Sequence, residues 1–481
     1  MVPSDDRARP RRRDVLRLAI VLVACCAPAA APAATADRPA RPNILLVLCD
    51  DMGWCDPSCF GNDRVRTPAL DSLAAGGMRL GQFYAASAVC TPTRASILTG
   101  RYPLRFDIRG HFTDNGEFLP RTTTLPLLLR QAGYATAHVG KWHLGGLRLK
   151  DLQQRDRVPG PHEHGFDHYL AQIEQQPLRG RLGSQKQLYR RGGTCLLRDD
   201  KPVGQDDPYY SMYLTDILGQ ESIRLIRTFH AAGKPFFLNL WWLTPHTPYE
   251  PAPEPHWSAT ASDGISDDQH RFRSMVARMD YQLGRILKTL DELDIARDTL
   301  VLFVSDNGGA YEANIGPLKG GKTDLHEGGL RVPFIARWPG HVPRGAASDE
   351  LGHTTDLLPT ICAAAGAPLP AEARPDGIDL MPLLTGRADR AARGTVFWQL
   401  QLYKHLQRHS PKPRPYATEV VRKGRWKLLA MDGKPVELFD VQADLAEQRN
   451  LLGEQPGTAE QMRKELADWL AQPRTPFGRA D

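Results

Sequence analysis

Beyond its first 36 residues, this 481-residue chain has no apolar run long enough to cross a bilayer, no internal repeat and no strong excess of one charge. The formal net charge is +6, but residues 1–36 hold six arginines against three aspartates, so only +3 remains downstream. That balance excludes a basic footprint for nucleic acid. Cysteine is scarce as well, eight in all, with Cys25 and Cys26 in the N-terminal segment. Cys49, Cys55, Cys59, Cys90, Cys195 and Cys362 are scattered, and no C-x-x-C pair lies near Cys90. This excludes a disulfide scaffold and a zinc knuckle.

What is present at the N-terminus is an export pattern. Basic residues from Arg7 to Arg17 precede an apolar, alanine-rich run from Leu18 to about Ala36, and Ala34-Thr35-Ala36 fits a cleavage site. Residues 1–36 are therefore expected to be a signal peptide, and the mature protein to be periplasmic or secreted. Arg12-Arg13-Asp14-Val15-Leu16-Arg17 resembles a twin-arginine signal. Leu22-Val23-Ala24-Cys25 resembles a lipoprotein box, so acylation at Cys25 is a minor alternative.

The body of the chain reads as α/β. The run 42–49, PNILLVLC, is continuously apolar between turn formers, as in a strand buried on both faces of a parallel sheet. Runs of the same kind occupy 134–140, 234–242, 299–306 and 331–338, with helical patterns at 67–77, 122–134 and 272–294. The alternation predicts a mostly parallel central sheet sandwiched by helices. Residues 150–210 are polar and weakly periodic, and read as a long insertion or loops covering the site. After about residue 375 short strands at 395–400, 416–421, 425–431 and 436–440 lead into an amphipathic helix at 457–472. This predicts a smaller C-terminal antiparallel sheet with a helix. The expected division is 1–36, a catalytic domain at 37–374 and a C-terminal α+β subdomain at 375–481.

Ligands of open α/β sheets sit beyond the carboxyl ends of the strands. Two predicted strands end there in oxygen-rich pairs, Asp50-Asp51 and Asp306-Asn307. Three carboxylates and an amide oxygen suit a hard cation such as Ca²⁺, with Mg²⁺ the alternative. Lys141 and His143 follow a third strand and His246 a fourth, while Lys319, Lys322, Asp324 and His326 lie in a glycine-rich loop. With Arg94, this gathers positive charge suited to an anion with several oxygens, sulfate or phosphate.

These residues carry a family resemblance. Cys90-Thr91-Pro92-Thr93-Arg94, followed by Thr99-Gly100-Arg101, resembles the C-x-P-x-R signature of type I sulfatases, with Thr93 where serine is usual. GKWHLG (140–145) is similar to the family's second signature, and DDMGW (50–54), SDNGG (305–309) and GKTDLHEGG (321–329) resemble its metal and lysine blocks. The resemblance spans about 42–451. Its texture is similar to that of arylsulfatases and N-acetylgalactosamine-6-sulfatases.

The resemblance implies an alkaline-phosphatase-like fold and hydrolysis of a carbohydrate or aryl sulfate ester. It implies that a formylglycine-generating enzyme oxidises Cys90 to Cα-formylglycine (3-oxoalanine), the hydrate of which attacks sulfur. Asp50, Asp51, Asp306, Asn307 and modified Cys90 would then hold Ca²⁺. Arg94 would position the modified side chain, Lys141 and His143 would assist the hydrate, and Lys322 and His246 would face the leaving oxygen. Lys141, His246 and Lys322 would contact the sulfate, with Lys319, Asp324 and His326 as further substrate contacts or loop supports. The competing readings are a phosphomonoester or phosphonate monoester hydrolase of the same fold, and a glycan-binding pseudoenzyme.

Overall fold

The computed structural model describes residues 41–112, 116–148, 158–172, 196–204, 206–209, 212–401 and 417–479. The signal segment, Cys25 and Cys195 lie outside the described residues. From Arg41 onward the chain forms one compact unit.

Its centre is a ten-stranded sheet. In chain order the strands are β1 (Asn43–Cys49), β2 (Met78–Tyr84), β4 (Ala135–Gly140), β5 (His168–Gln172), β6 (Leu196–Arg198), β7 (Lys201–Pro202), β8 (Phe236–Trp241), β9 (Thr299–Ser305), β10 (Arg331–Arg337) and β11 (Ala346–His353). A short β3 (Glu117–Phe118) pairs elsewhere, with β16 (Gly478–Arg479). The spatial order is β11-β2-β10-β9-β1-β8-β4-β5-β6-β7. β9, β1, β8, β4 and β5 run parallel.

β1 shows why these runs become central strands. Ile44, Leu46 and Leu48 join one apolar cluster, and Leu45, Val47 and Cys49 join another. Side chains alternate across a strand, so an unbroken apolar run is stable only where both faces are covered. Helices Cys90–Thr99, Leu125–Gln131 and Leu357–Ala365 contribute to the first cluster; Pro68–Ala75, Leu214–Ala231 and Asp267–Glu292 contribute to the second. The last of these starts at a capping box between Ser266 and Gln269.

Two expectations need correction. The 331–338 run is a buried strand, but β10 is antiparallel to both β9 and β2. Burial on both faces gives the same apolar texture in either direction, so composition did not reveal the reversal. The described parts of 150–210 are not simply loops, because β5, β6 and β7 extend one edge of the sheet.

The C-terminal sheet is antiparallel throughout, in the order β12 (Val396–Gln399), β13 (Glu419–Lys423), β14 (Trp426–Met431) and β15 (Lys434–Asp440). Helix Pro456–Leu470 packs on it through Met462, Leu466 and Trp469. The same apolar cluster takes in Tyr84 from β2 and Leu330 ahead of β10. The small sheet is thus joined to the large one by a shared core.

Candidate active site

The carboxyl ends of β1, β9, β4 and β8 meet at one edge. Cys49 pairs with Ser305, and both Leu48 and Gly140 pair with Trp241. The residues just past those ends are Asp50-Asp51, Asp306-Asn307, Lys141 to His143, and the turn holding His246. Gly140 makes the exit of β4 feasible. Its φ is +115°, and a Cβ there would collide with the Trp241 carbonyl, so a glycine is needed for the chain to swing Lys141 inward. Asp51 and His143 also adopt positive φ, 68° and 59°. Non-glycine residues in that region are uncommon and cluster at functional sites.

Cys90 opens helix Cys90–Thr99, in which all 10 residues are buried. Its Sγ lies 3.3 Å from Asp50 Oδ1 and 3.4 Å from Lys141 Nζ. Lys141 Nζ also donates to Asp50 Oδ2 at 2.5 Å. One turn along the helix, fully buried Arg94 donates to Asp306 Oδ2 at 2.6 Å and to the Lys141 carbonyl at 2.9 Å. Its guanidinium sits 5.1 Å from the centre of a Trp241 ring. One helix thereby places a thiol and, one turn later, a cation that braces both carboxylate strands.

Lys322 arrives from the glycine-rich loop. Its amide bonds the Gly309 carbonyl at 2.8 Å, and the next amide bonds Ala88, just ahead of Cys90, at 2.9 Å. Its Nζ lies 2.7 Å from Asp51 Oδ1. His246 Nε2 is 3.6 Å from Asp51 Oδ2.

The electrostatics follow from crowding these groups out of water. Burial pushes Asp50 up, but the Lys141 ammonium and the Arg94 guanidinium outweigh it and hold the carboxyl well below its usual range. For Asp306, burial and the nearby Asp50 carboxylate prevail over Arg94 and push it up to about 6. Burial lowers the proton affinity of Lys141 and Lys322, but Asp50 and Asp51 respectively outweigh it, and both ammonium groups are stabilised. Burial and neighbouring lysines lower His143 and His246, which stay neutral. Burial, then Asp306 and Asp50, push the Cys90 thiol well above its ordinary value. An unmodified Cys90 here is a protonated thiol and a poor nucleophile.

The donors also fit a hard cation. Oxygens of Asp50 and Asp51, with Cys90 Sγ and a His246 nitrogen, lie within 4.8 Å of one another. Asn307 Nδ2 donates to Asp51 Oδ1 at 2.9 Å, while its Oδ1 is buried with no hydrogen-bond partner among the described residues. A free buried acceptor beside three crowded carboxylates is compatible with a hard cation such as Ca²⁺ or Mg²⁺.

Lys319, Asp324 and His326 are placed differently. His326 Nδ1 is 2.6 Å from Asp324 Oδ1, and its Nε2 is 2.9 Å from Glu437 Oε2 on β15. Lys319 Nζ is 3.4 Å from Glu437 Oε1 and 3.3 Å from the Glu447 carbonyl. These side chains join the loop to the C-terminal sheet. Beneath them, buried Lys427 bridges Glu327 at 3.0 Å and Glu447 at 2.9 Å. Sequence reasoning also missed His111, whose ring stacks on His143 with centroids 5.2 Å apart. A lone histidine in a polar turn gave no signal, and only the fold brings it there.

A mostly parallel α/β sheet with this edge defines an alkaline-phosphatase-like hydrolase. Similarity to known proteins narrows the class. The sulfatase family model matches residues 42–367, and a model of the C-terminal region of N-sulphoglucosamine sulphohydrolase matches 321–475. Mouse steryl-sulfatase is 34% identical over 449 residues, covering 78% of this chain and 69% of that protein. Pig N-acetylgalactosamine-6-sulfatase is 36% identical over 381 residues, covering 73% and 67%. Among solved structures, i-CgsB in complex with k-i-k-neocarrahexaose superposes with a TM-score of 0.77 at 26% identity, covering 91% of this chain and 94% of that one. The chain belongs to the type I sulfatase family and is a sulfuric ester hydrolase.

Proposed function

We propose that the protein is an exported, calcium-dependent sulfatase that hydrolyses R–OSO₃⁻ to ROH and sulfate through a formylglycine made from Cys90. The observation that carries this reading is the surroundings of Cys90. The side chain lies between Asp50 and Lys141, in the sulfatase signature, where a thiol is held protonated. An aldehyde hydrate offers two hydroxyls on one carbon: one bonds sulfur as the alcohol leaves, and the other expels sulfate as C=O reforms.

Asp50, Asp51, Asp306, Asn307 and modified Cys90 would hold the cation, which when bound supplies acidity to the attacking hydroxyl and offsets charge on the ester. Arg94 fixes Asp306 and the Lys141 backbone, so the ligands and Lys141 keep one arrangement. Neutral His143 can take the proton released as the hydrate collapses. Lys322, kept protonated by Asp51, has a proton for the leaving oxygen, and neutral His246 orients that oxygen. Lys319, Asp324 and His326 serve as loop anchors in this reading, because Lys319 is engaged with Glu437 and the Glu447 carbonyl, His326 with Glu437, and Asp324 with His326. Residues 37–374 form the catalytic domain, 375–481 the subdomain that buttresses the lysine loop, and 1–36 the export signal. No described helix is long and apolar enough to cross a membrane.

The direct test is hydrolysis of 4-nitrophenyl sulfate and 4-nitrophenyl phosphate at equal concentration by the calcium-loaded enzyme. Faster sulfate release is expected. Faster phosphate release would overturn the reading in favour of a phosphoesterase. The phosphonate monoester hydrolase of Agrobacterium radiobacter shares the fold, with a TM-score of 0.62 at 23% identity, so the fold alone does not separate the two.

A further inference from the structure

The roles above account for two of the three imidazoles nearest Cys90. The third, His111, lies in the turn after the short helix Pro103–Phe106 and belongs to none of the sequence motifs. Its ring stacks on His143 with planes inclined by 26°. One nitrogen of His111, one of His143 and Cys90 Sγ lie within 4.8 Å of one another. The residue is partly open to solvent, yet Nδ1 is buried and has no hydrogen-bond partner among the described residues. Buried polar atoms are nearly always paired, so an unpaired one beside a reactive group is a candidate contact for a bound molecule.

The chemistry of the neighbours indicates which part of the molecule. Lys141, Lys322 and Arg94 supply the charge that an anionic sulfate needs. With that charge supplied, the His111 ring is left for a neutral partner. A neutral imidazole offers one donor and one acceptor, which matches a hydroxyl better than a sulfate oxygen. A soft metal held by Cys90, His111 and His143 does not fit the mature enzyme, since conversion of Cys90 removes the sulfur.

We propose that His111 is a specificity-determining residue that hydrogen-bonds a hydroxyl on the alcohol half of the ester, near the scissile sulfate. This rests on the sulfatase reading and deepens it. The preferred substrate is then the sulfate of a sugar or other polyol, not an aryl or sterol sulfate that lacks a hydroxyl close to the ester. A site built to bond a substrate hydroxyl discriminates strongly against an analogue without one, because its own polar group is then left unpaired.

The test uses the full-length enzyme with Cys90 conversion confirmed by mass spectrometry and folding by thermal melting. kcat/KM is measured for galactose 3-, 4- and 6-sulfate, N-acetylgalactosamine 6-sulfate and 4-nitrophenyl sulfate. The readout is the ratio of the best sugar sulfate to the aryl sulfate. His111→Phe keeps a ring against His143 but loses the hydrogen bond, and should lower this ratio at least about tenfold. His111→Gln loses the ring but keeps a donor and an acceptor, and should retain more of the ratio than His111→Phe. If bulk at position 111 prevents folding, His111→Ala gives the same readout. A fall of less than about tenfold in the variant lacking the hydrogen bond overturns the proposal. So does an equal fall in His111→Gln, which would reduce His111 to packing against His143. A wild-type enzyme that hydrolyses only the aryl sulfate also overturns it. No sulfate release from any compound would instead sink the sulfatase reading, and this inference with it.

Discussion

Lys322 reaches both carboxylate oxygens of Asp51, with Nζ 2.7 Å from Oδ1 and 2.8 Å from Oδ2, although 271 residues separate the two. The loop that carries it is fixed independently, by backbone bonds to Gly309 and Ala88 and by the contacts with Glu437. Lys322→Ala should therefore harm the chemical step more than the fold. Loss of one preorganised cation at a developing negative charge costs about 3 kcal/mol, roughly a hundredfold in kcat. Steady-state kinetics with a parallel thermal melt checks this, and an unchanged kcat with normal KM removes Lys322 from the site.

The proposed cation site gives the second prediction. Asp306 is pushed up to about 6 by burial and by Asp50 when no divalent ion shares the space. Chelation should abolish sulfate release, and Ca²⁺ should restore it. Saturating Ca²⁺ should also raise Tm, since a ligand at about 100 times its Kd adds about 2.7 kcal/mol of stability. Full activity after exhaustive removal of divalent ions is the result that defeats the assignment.

Cys90 gives the third. In active enzyme the peptide spanning residue 90 should show loss of sulfur and two hydrogens with gain of one oxygen. In Cys90→Ser a single hydroxyl can attack sulfur but cannot collapse to C=O, so turnover should stop with sulfate attached or fail at attack. Intact-mass analysis after incubation with substrate detects the adduct. Repeated turnover at the wild-type rate by Cys90→Ser would refute the mechanism.

The fourth concerns pH. Burial opposes charge on His326, but Asp324 and Glu437 outweigh it and raise its proton affinity above that of the unfolded chain. A group shifted in this direction adds stability below its unfolded pKa and loses it as pH rises through the folded value. The Tm gap between wild type and His326→Gln should thus be largest near about pH 6 and shrink as pH rises above the ordinary histidine range. A gap that widens with pH would show that the charged ring is not what holds the loop.

Much of this was legible in the sequence where the signal is local. β1 and β9 announce themselves because residues buried on both faces must be apolar without interruption, and Asp50 and Asp306 stand where those runs stop. The strands of the C-terminal sheet are marked as clearly by their turns. β2 and β11 are not. Arg79 and Gly81 interrupt β2, and β11 carries Ser348, Asp349 and Glu350, because both lie toward an edge with one face partly open. The partners of Lys319 and His326 were hidden for another reason. Glu437 lies 118 and 111 residues away, and no spacing rule links a loop to a sheet at that distance.

If Cys90 is converted as proposed, the burial of the Cys90–Thr99 helix constrains when that can happen. Cys90, Pro92 and Arg94 form a linear motif, yet in the finished fold none of them is open to another protein. Arg94 is clasped by Asp306, a residue made more than two hundred positions later. An enzyme that rewrites Cys90 must therefore meet the motif while it is still extended, before β9 arrives to close over it. Chains that fold first would keep their thiol and stay inactive however long they waited. Under the proposed conversion, the active fraction of a preparation would then be decided during synthesis, by a race between modification and folding.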